Sequence, residues 1–249
     1  MAVRDVGELW VIQEDKLDVV KQKVAVPEIQ RVSAGVDASI VYAGHTSNNG
    51  GNIYIIDAKK GTVLNLLSNI AARLFTASPD GKYVFAVGSV EQIVRYRVQA
   101  DRLVEEETSF RLGANPGGIW ISPDSQYVSM PTGGGNAADQ PNHPPRAPYV
   151  TYLYAATDLK RPVGTYAGGA YPRALGIDPK GGHVLAQNFQ KPVMVFSFSG
   201  DRKFFEHTCA PLRNLQAAEF AVAPAGSEAL LRADNAIVHI KINRPGTPP

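Results

Sequence analysis

Three arginines set the first chemical expectation for this chain of 249 residues. Arg73, Arg173 and Arg213 each stand at the start of an apolar run or just before it, in Ser68-Asn-Ile-Ala-Ala-Arg73, Gly168-Gly-Ala-Tyr-Pro-Arg173 and Leu212-Arg-Asn-Leu-Gln216. A guanidinium fork there suits a carboxylate, a phosphate or an acidic peptide, because its planar donors match two oxygens at once. The connecting segments around them offer amide, imidazole and phenol groups and few carboxylates. They supply His45 in Gly44-His-Thr-Ser-Asn-Asn-Gly-Gly51, Asn115 in Gly113-Ala-Asn-Pro-Gly117, and Tyr171 beside Arg173. Asn142, His143 and Arg146 fall in the segment Thr132–Pro148, which is rich in Gly, Pro and Asn. Such a set reads as a surface for a small anionic ligand, a peptide or a partner protein. The plainer reading is that each arginine bonds loop carbonyls or a nearby carboxylate, and that 132–148 is a surface excursion.

Catalytic patterns are harder to assemble. His45, His143, His183, His207 and His239 are scattered without metal-ligand spacing, so no metal site is expected. The glycines at 133–135 do not lead from a strand into a helix, as a phosphate cradle must, and no cofactor is expected. Glycoside hydrolysis needs two carboxylates facing one cleft. Asp139, Asp178 and Glu219 are the nearest candidates, and Asp178 belongs to a turn. No serine sits in a nucleophile elbow. Trp10 and Trp120 lie in strand patterns and read as core, and Cys209, the one cysteine, reads as a packing thiol.

The totals narrow the partners. Apolar residues make up 44% and charged residues 19%, enough for a sizeable core. The net charge is +2 with no block of consecutive Lys or Arg, which argues against nucleic acid or an anionic membrane as partner. No apolar run reaches the length of a membrane span, and the charged N-terminus is unlike a signal peptide. The compartment stays open between a bacterial periplasmic or extracellular setting and a cytoplasmic domain of a larger protein. Residues 1–242 read as one domain and the Pro-rich 243–249 as a tail or linker.

The elements that must position these groups come from a repeat. Thr76-Ala-Ser-Pro-Asp-Gly-Lys-Tyr-Val-Phe-Ala-Val87 returns as Ile121-Ser-Pro-Asp-Ser-Gln-Tyr-Val-Ser-Met130, and more loosely as Ile177-Asp-Pro-Lys-Gly-Gly-His-Val-Leu185 and Val222-Ala-Pro-Ala-Gly-Ser-Glu-Ala-Leu-Leu231. Prolines 79, 123, 179 and 224 lie 44, 56 and 45 positions apart, and the segment 132–148 accounts for the long interval. Pro fixes φ and Asp or Gly accepts the turn, so each copy reverses the chain between two alternating strands. A third strand, Gln92-Ile-Val-Arg-Tyr-Arg97, and a polar fourth, Leu103-Val-Glu-Glu-Glu-Thr-Ser109, complete the unit. A period in the forties with four strands is the pattern of an all-β propeller of antiparallel blades. No α-helix is expected.

Four whole units are visible. The N-terminal hairpin Glu8–Gln13 and Leu17–Gln22 and the three strands after residue 217 are expected to pair into a fifth, closing blade; the alternative is a fragment of a seven-bladed ring. Ser78-Pro-Asp-Gly-Lys-Tyr-Val-Phe85 and Gly51-Asn-Ile-Tyr-Ile-Ile-Asp-Ala-Lys-Lys-Gly-Thr-Val63 resemble the YVTN-type bacterial repeats, close in style to WD-repeat propellers. The resemblance implies fold and carries no catalytic residue across. It also implies that second-to-third-strand loops and blade-to-blade connections share one binding face, with the three arginines at a channel mouth. A non-catalytic binding or protein-interaction module is therefore the leading expectation. The alternatives are a lactonase-like hydrolase or quinoprotein-like enzyme, and a structural domain of a longer chain with other domains as partners.

Overall fold

The computed structural model describes residues 2–13, 16–35, 39–45, 51–70, 74–87, 92–109, 115–116, 118–122, 124–133, 150–167, 172–178, 183–188, 194–198, 204–207, 219–222, 228–233 and 236–241. Side chains are described for most of these up to 164, and beyond that for 228 and 238–241. Among the described residues the regular structure is antiparallel strand, apart from one 3-10 turn at Arg4–Val6. The chain divides into two compact units, Met1–Arg111 and Leu112–Pro249.

The first unit holds three sheets. β1 (Ala2–Val3), β2 (Glu8–Gln13) and β3 (Lys16–Ala25) form the first, in that order. β4 (Arg31–Ala34), β5 (Ile40–His45), β6 (Gly51–Asp57) and β7 (Thr62–Ile70) form the second, and β8 (Leu74–Ala77), β9 (Tyr83–Val87), β10 (Ile93–Gln99) and β11 (Arg102–Thr108) the third. β4 lies beside β8 and β7 beside β11, so the second and third sheets stack first strand to first and last to last. The second sheet is covered on both faces. Tyr42, Ile53 and Ile55 pack with Phe75, Ala77, Val84, Ala86, Tyr96 and Leu103 of the third sheet, while Val41, Ala43 and Ile56 pack with Leu9, Val24, Val26 and Ile29. Two apolar faces explain the run Ile53-Tyr-Ile-Ile56, which alternation with solvent could not have produced. Each fully buried isoleucine in it contributes about 1.5–3 kcal/mol. Burial pushes the Tyr42 phenol up to about 12, so it stays neutral in this core.

The repeated turn is built from side-chain bonds. The Ser78 amide donates to the Tyr83 carbonyl at 2.8 Å and the Gly81 amide to the Ser78 carbonyl at 2.9 Å. Ser78 Oγ accepts from the Tyr83 amide at 2.9 Å and donates to its carbonyl at 3.1 Å. The next copy repeats it: the Tyr127 amide donates to Ser122 Oγ at 2.9 Å and the Ser125 amide to the Ser122 carbonyl at 2.8 Å. Gly81 takes φ 72° and Ser125, its counterpart, φ 62°, a left-handed position that glycine occupies without cost and serine does not. Both serines are fully buried, so their hydroxyls hold the reversal away from water.

The second unit also holds three sheets. β12 (Asn115–Pro116), β13 (Trp120–Ile121), β14 (Tyr127–Gly133), β15 (Val150–Ala155) and β16 (Asp158–Ala167) form one, with β12 and β13 both pairing β14. β17 (Pro172–Asp178), β18 (His183–Asn188), β19 (Met194–Phe198) and β20 (Phe204–His207) form the next. β21 (Glu219–Val222), β22 (Glu228–Ala233) and β23 (Ala236–Lys241) form the last. β17 lies beside β21 and β16 beside β20, the same first-to-first and last-to-last stacking as in the first unit. Between β12 and β13 the Trp120 indole folds back over Gly118, where any Cβ would collide with the ring.

Leu17–Gln22 pairs with β2, and β21–β23 form a three-stranded sheet within the second unit. One expectation changes. Thr132 and Gly133 are strand and not loop, because they pair with Pro116 and Asn115.

Candidate functional site

In each four-stranded sheet the first-to-second and third-to-fourth turns leave by one end, and the second-to-third connections by the other. The first end is closed on itself. Asp57 Oδ1 accepts from the Lys59 and Lys60 amides at 3.0 and 2.9 Å, and Asp158 Oδ1 from the Lys160 amide at 2.9 Å. The Lys60 amide, helped by its ammonium at 3.3 Å, holds the Asp57 carboxyl below its usual range. Cross-turn bonds add a second layer: the Ala58, Val98 and Ala156 amides donate to the Ser39, Lys82 and Gln126 carbonyls, each at 2.8 Å. Gln22 Nε2 also donates to the Lys59 carbonyl there, though its Oε1 has no partner among the described residues, so the backbone of these turns has little left for a ligand.

The other end is different. His45 closes β5, and its Nε2 lies 3.4 Å from Glu28 Oε2, with the imidazole 15% exposed and the carboxylate 74%. Glu28 sits between β3 and β4 with φ 56°, a conformation that costs a non-glycine residue energy and is held from both sides. The Ile29 amide donates to the Val26 carbonyl at 3.2 Å, the Gln30 amide to the Gly44 carbonyl at 2.8 Å, and Arg4 Nη2 to the Gln30 carbonyl at 3.2 Å. His45 Nδ1 is buried without a hydrogen-bond partner. Nε2 thus faces the Glu28 carboxylate, which stands open to solvent, while Nδ1 faces inward. Among the described residues no third polar group bonds the pair, so it does not form a triad.

A second feature lies in the fourth sheet. Ser129 and Thr151 are fully buried, and neither hydroxyl has a partner among the described residues. They occupy one face of β14 and β15, Ser129 opposite Leu153 and Thr151 opposite Pro131. Ser129 holds the position that Phe85 holds one repeat earlier, counted from the Ser122 and Ser78 turns. These strands also flank the longest second-to-third connection: residues 134–149, against 46–50, 88–92 and 189–193 in the other four-stranded sheets.

Of the residues expected to bind, His45 is placed with its side chain, and Asn115 and Arg173 are placed in β12 and β17 by backbone alone. Arg73, Tyr171, Arg213, Asn142, His143 and Arg146 lie outside the described residues. Glu28, Ser129 and Thr151 were not anticipated. Ser129 carried a signal, a polar residue where the previous copy has Phe85; Glu28 in Pro27-Glu-Ile carried none. Two further arginines are neutralised: Arg95 Nη1 lies 3.1 Å from Glu107 Oε2 and Nε 3.4 Å from Glu106 Oε2, Arg97 pairs with Glu106, and the Arg95 guanidinium lies 5.1 Å from the Tyr83 ring centre. Among the described residues no group of three or more His, Cys, Asp or Glu could hold a metal, and no helix is long and apolar enough to cross a membrane.

No family model and no curated protein sequence matches the chain. Solved structures do. A chain of a mitotic checkpoint complex superposes with a TM-score of 0.69 at 14% identity, over 95% of this chain and 69% of its own length. The WD40 domain of Pan2 from Neurospora crassa gives 0.65 at 12% identity, over 94% and 69%. The chain is a β-propeller. A protein described, by assignment only, as a 6-phosphogluconolactonase of Bacteroides uniformis gives 0.66 at 16% identity, over 97% and 76%. Each four-stranded meander is then a blade, and the resemblance to WD-repeat propellers holds at the level of fold. Identities this low carry no residue's role from one propeller to another.

Proposed function

We propose that this propeller, over residues 1–242, is a non-catalytic binding module that takes a peptide, a partner protein or a small anionic ligand on the end bearing the second-to-third-strand loops. One observation carries the reading: at one end of the blades the turns are short and their backbone groups bond to themselves, while connection length gathers at the other. Residues 134–149, the Thr151 hydroxyl at the start of β15 and the His45–Glu28 pair belong to that second end. Arg73, Arg173, Arg213, Asn115, Tyr171, Asn142, His143 and Arg146 belong in sequence to the same connections or the strands they join, and supply its donors. The mitotic checkpoint and WD40 neighbours favour a protein or peptide as occupant. The test is selection of a phage-displayed peptide library on the wild-type chain and on a variant with 134–149 replaced by a five-residue Gly-Ser connector. Acidic peptides that bind the first and not the second are expected; peptides that bind both alike would sink the assignment to this end.

The neighbour described as a 6-phosphogluconolactonase raises a second reading, hydrolysis of a sugar lactone on the same scaffold. Its discriminating feature is all-or-none: one His or carboxylate whose removal abolishes turnover, where a binding module shows graded loss.

A further inference from the structure

A buried diagonal recurs across the second and third strands of the blades. In the second sheet Tyr42 stands opposite Ile55 and Ile53 opposite Gly44, and in the third Phe85 stands opposite Arg95 and Ile93 opposite Val87. Tyr42, Ile53, Phe85 and Ile93 are all fully buried. Tyr42 and Ile53 pack on the third sheet, so this is the face that a blade turns to the one after it. The fourth sheet keeps the diagonal and changes its chemistry. Ser129, opposite Leu153, and Thr151, opposite Pro131, take the two places, fully buried, and neither hydroxyl has a partner among the described residues. The sheet that follows is close by, with β17 beside β14. Both replacements also make the side chain smaller than its counterpart in the previous copy, while folded interiors carry few voids larger than a water molecule. The gain of bulk on this face, Trp120 where that copy has Thr76, is taken up over Gly118, where it has Leu74. Room and unmatched polarity therefore fall at the same place.

We propose that Ser129 and Thr151 hold a buried water between the fourth and fifth sheets, at the root of the 134–149 connection. The spacing fits one molecule. Diagonal neighbours across an antiparallel pair are about 7–8 Å apart, with their Cβ atoms somewhat closer, and two hydrogen bonds through one water span about 5.5 Å. The two hydroxyls do not bond each other. A water needs at least two polar partners to stay in such a site, and each hydroxyl offers it both a donor and an acceptor. The other residues that share this face on β13, β14 and β15, Trp120, Tyr127, Pro131, Leu153 and Ala155, are uncharged, which selects a neutral molecule over an ion. The site stands independently of what the loop end binds.

Ser129→Ala and Thr151→Val, singly and together, test this by urea unfolding and by oxygen-17 relaxation dispersion of the solvent, which counts waters held inside a folded chain. Each single substitution strands the remaining hydroxyl, so each is expected to lower the midpoint, and the double to lower it by less than the sum of the two. The relaxation amplitude is expected to fall by one water in the double variant and to stay at the wild-type level in Thr151→Ser, which keeps the hydroxyl. Midpoints that rise or stay level in both single variants overturn the proposal, because the hydroxyls then have no water to lose. An amplitude equal to wild type in the double variant also overturns it, because a protein group and not a water then links the pair.

Discussion

Ser122 Oγ accepts from the Tyr127 amide at 2.9 Å and donates to Asp124 Oδ1 at 2.5 Å. Ser122→Ala leaves the Tyr127 amide without this partner, a loss of about 1–3 kcal/mol. We expect a lower urea midpoint with an unchanged slope for Ser122→Ala, and the same for Ser78→Ala in the preceding copy; midpoints equal to wild type would mean the hydroxyls do not hold the reversal. Asp80 adds a pH dependence. Burial alone would raise its carboxyl, but the Ser78 hydroxyl, the Lys82 amide and the Lys82 ammonium at 3.1 Å outweigh that and hold it below its ordinary value. A carboxyl depressed in the folded state stabilises above its unfolded value, about 3.9, and loses that contribution as the pH falls through the folded value. Asp80→Asn should therefore flatten the acid limb of the stability profile below about pH 4 while altering stability near neutrality by a constant amount; an acid limb identical to wild type would count against this role. The turn residues were legible because their chemistry is local: Ser, Pro, Asp and Gly act on neighbours within five positions. Glu28 was not legible, because its meaning depends on His45, brought beside it only when β4 and β5 pair.

At the scale of elements, β8 to β11 fall where alternation and the Pro79-Asp80-Gly81 turn place them, since a hairpin's register follows from its turn and its apolar face. The ends did not follow. A two-residue strand at Ala2–Val3 and the pairing of Asn115–Pro116 with Thr132–Gly133 rest on contacts that no local pattern encodes. The connection between β14 and β15 is separable for the same reason that it is hard to read: the strands on both sides are fixed by their own ladder, from Tyr127 opposite Ala155 to Pro131 opposite Thr151. Replacing 134–149 with a five-residue connector should leave a soluble chain with the wild-type far-ultraviolet spectrum and a midpoint within about 1 kcal/mol of wild type, because lengthening or shortening a surface loop changes closure entropy only slowly. Insoluble or unfolded protein would show that the segment is part of the scaffold. Neighbouring blades are joined by more than apolar contact: the Ala77 amide of β8 donates to Ser33 Oγ of β4 at 2.8 Å. That bond links two first strands, where the blades come closest.

For the molecule as a whole, a period in the forties was enough to reach the propeller, because each copy must form four strands to bury its apolar faces and must stack to cover them. Function was less legible, for a physical reason: the repeat specifies turns and strands, and the groups left to bind something are those that depart from it. Arg73, Arg173 and Arg213 depart from it in the same way, one before each first strand or at its start, and together they form the core of the account's claim that an acidic partner is held at the loop end. The most direct measurement is titration calorimetry of the tightest acidic peptide from the library selection against the wild-type chain, the three single arginine-to-alanine variants and the triple variant. Weaker binding is expected in every single variant, a further drop in the triple variant, and unchanged unfolding midpoints throughout. Affinity unchanged across all four variants would contradict it.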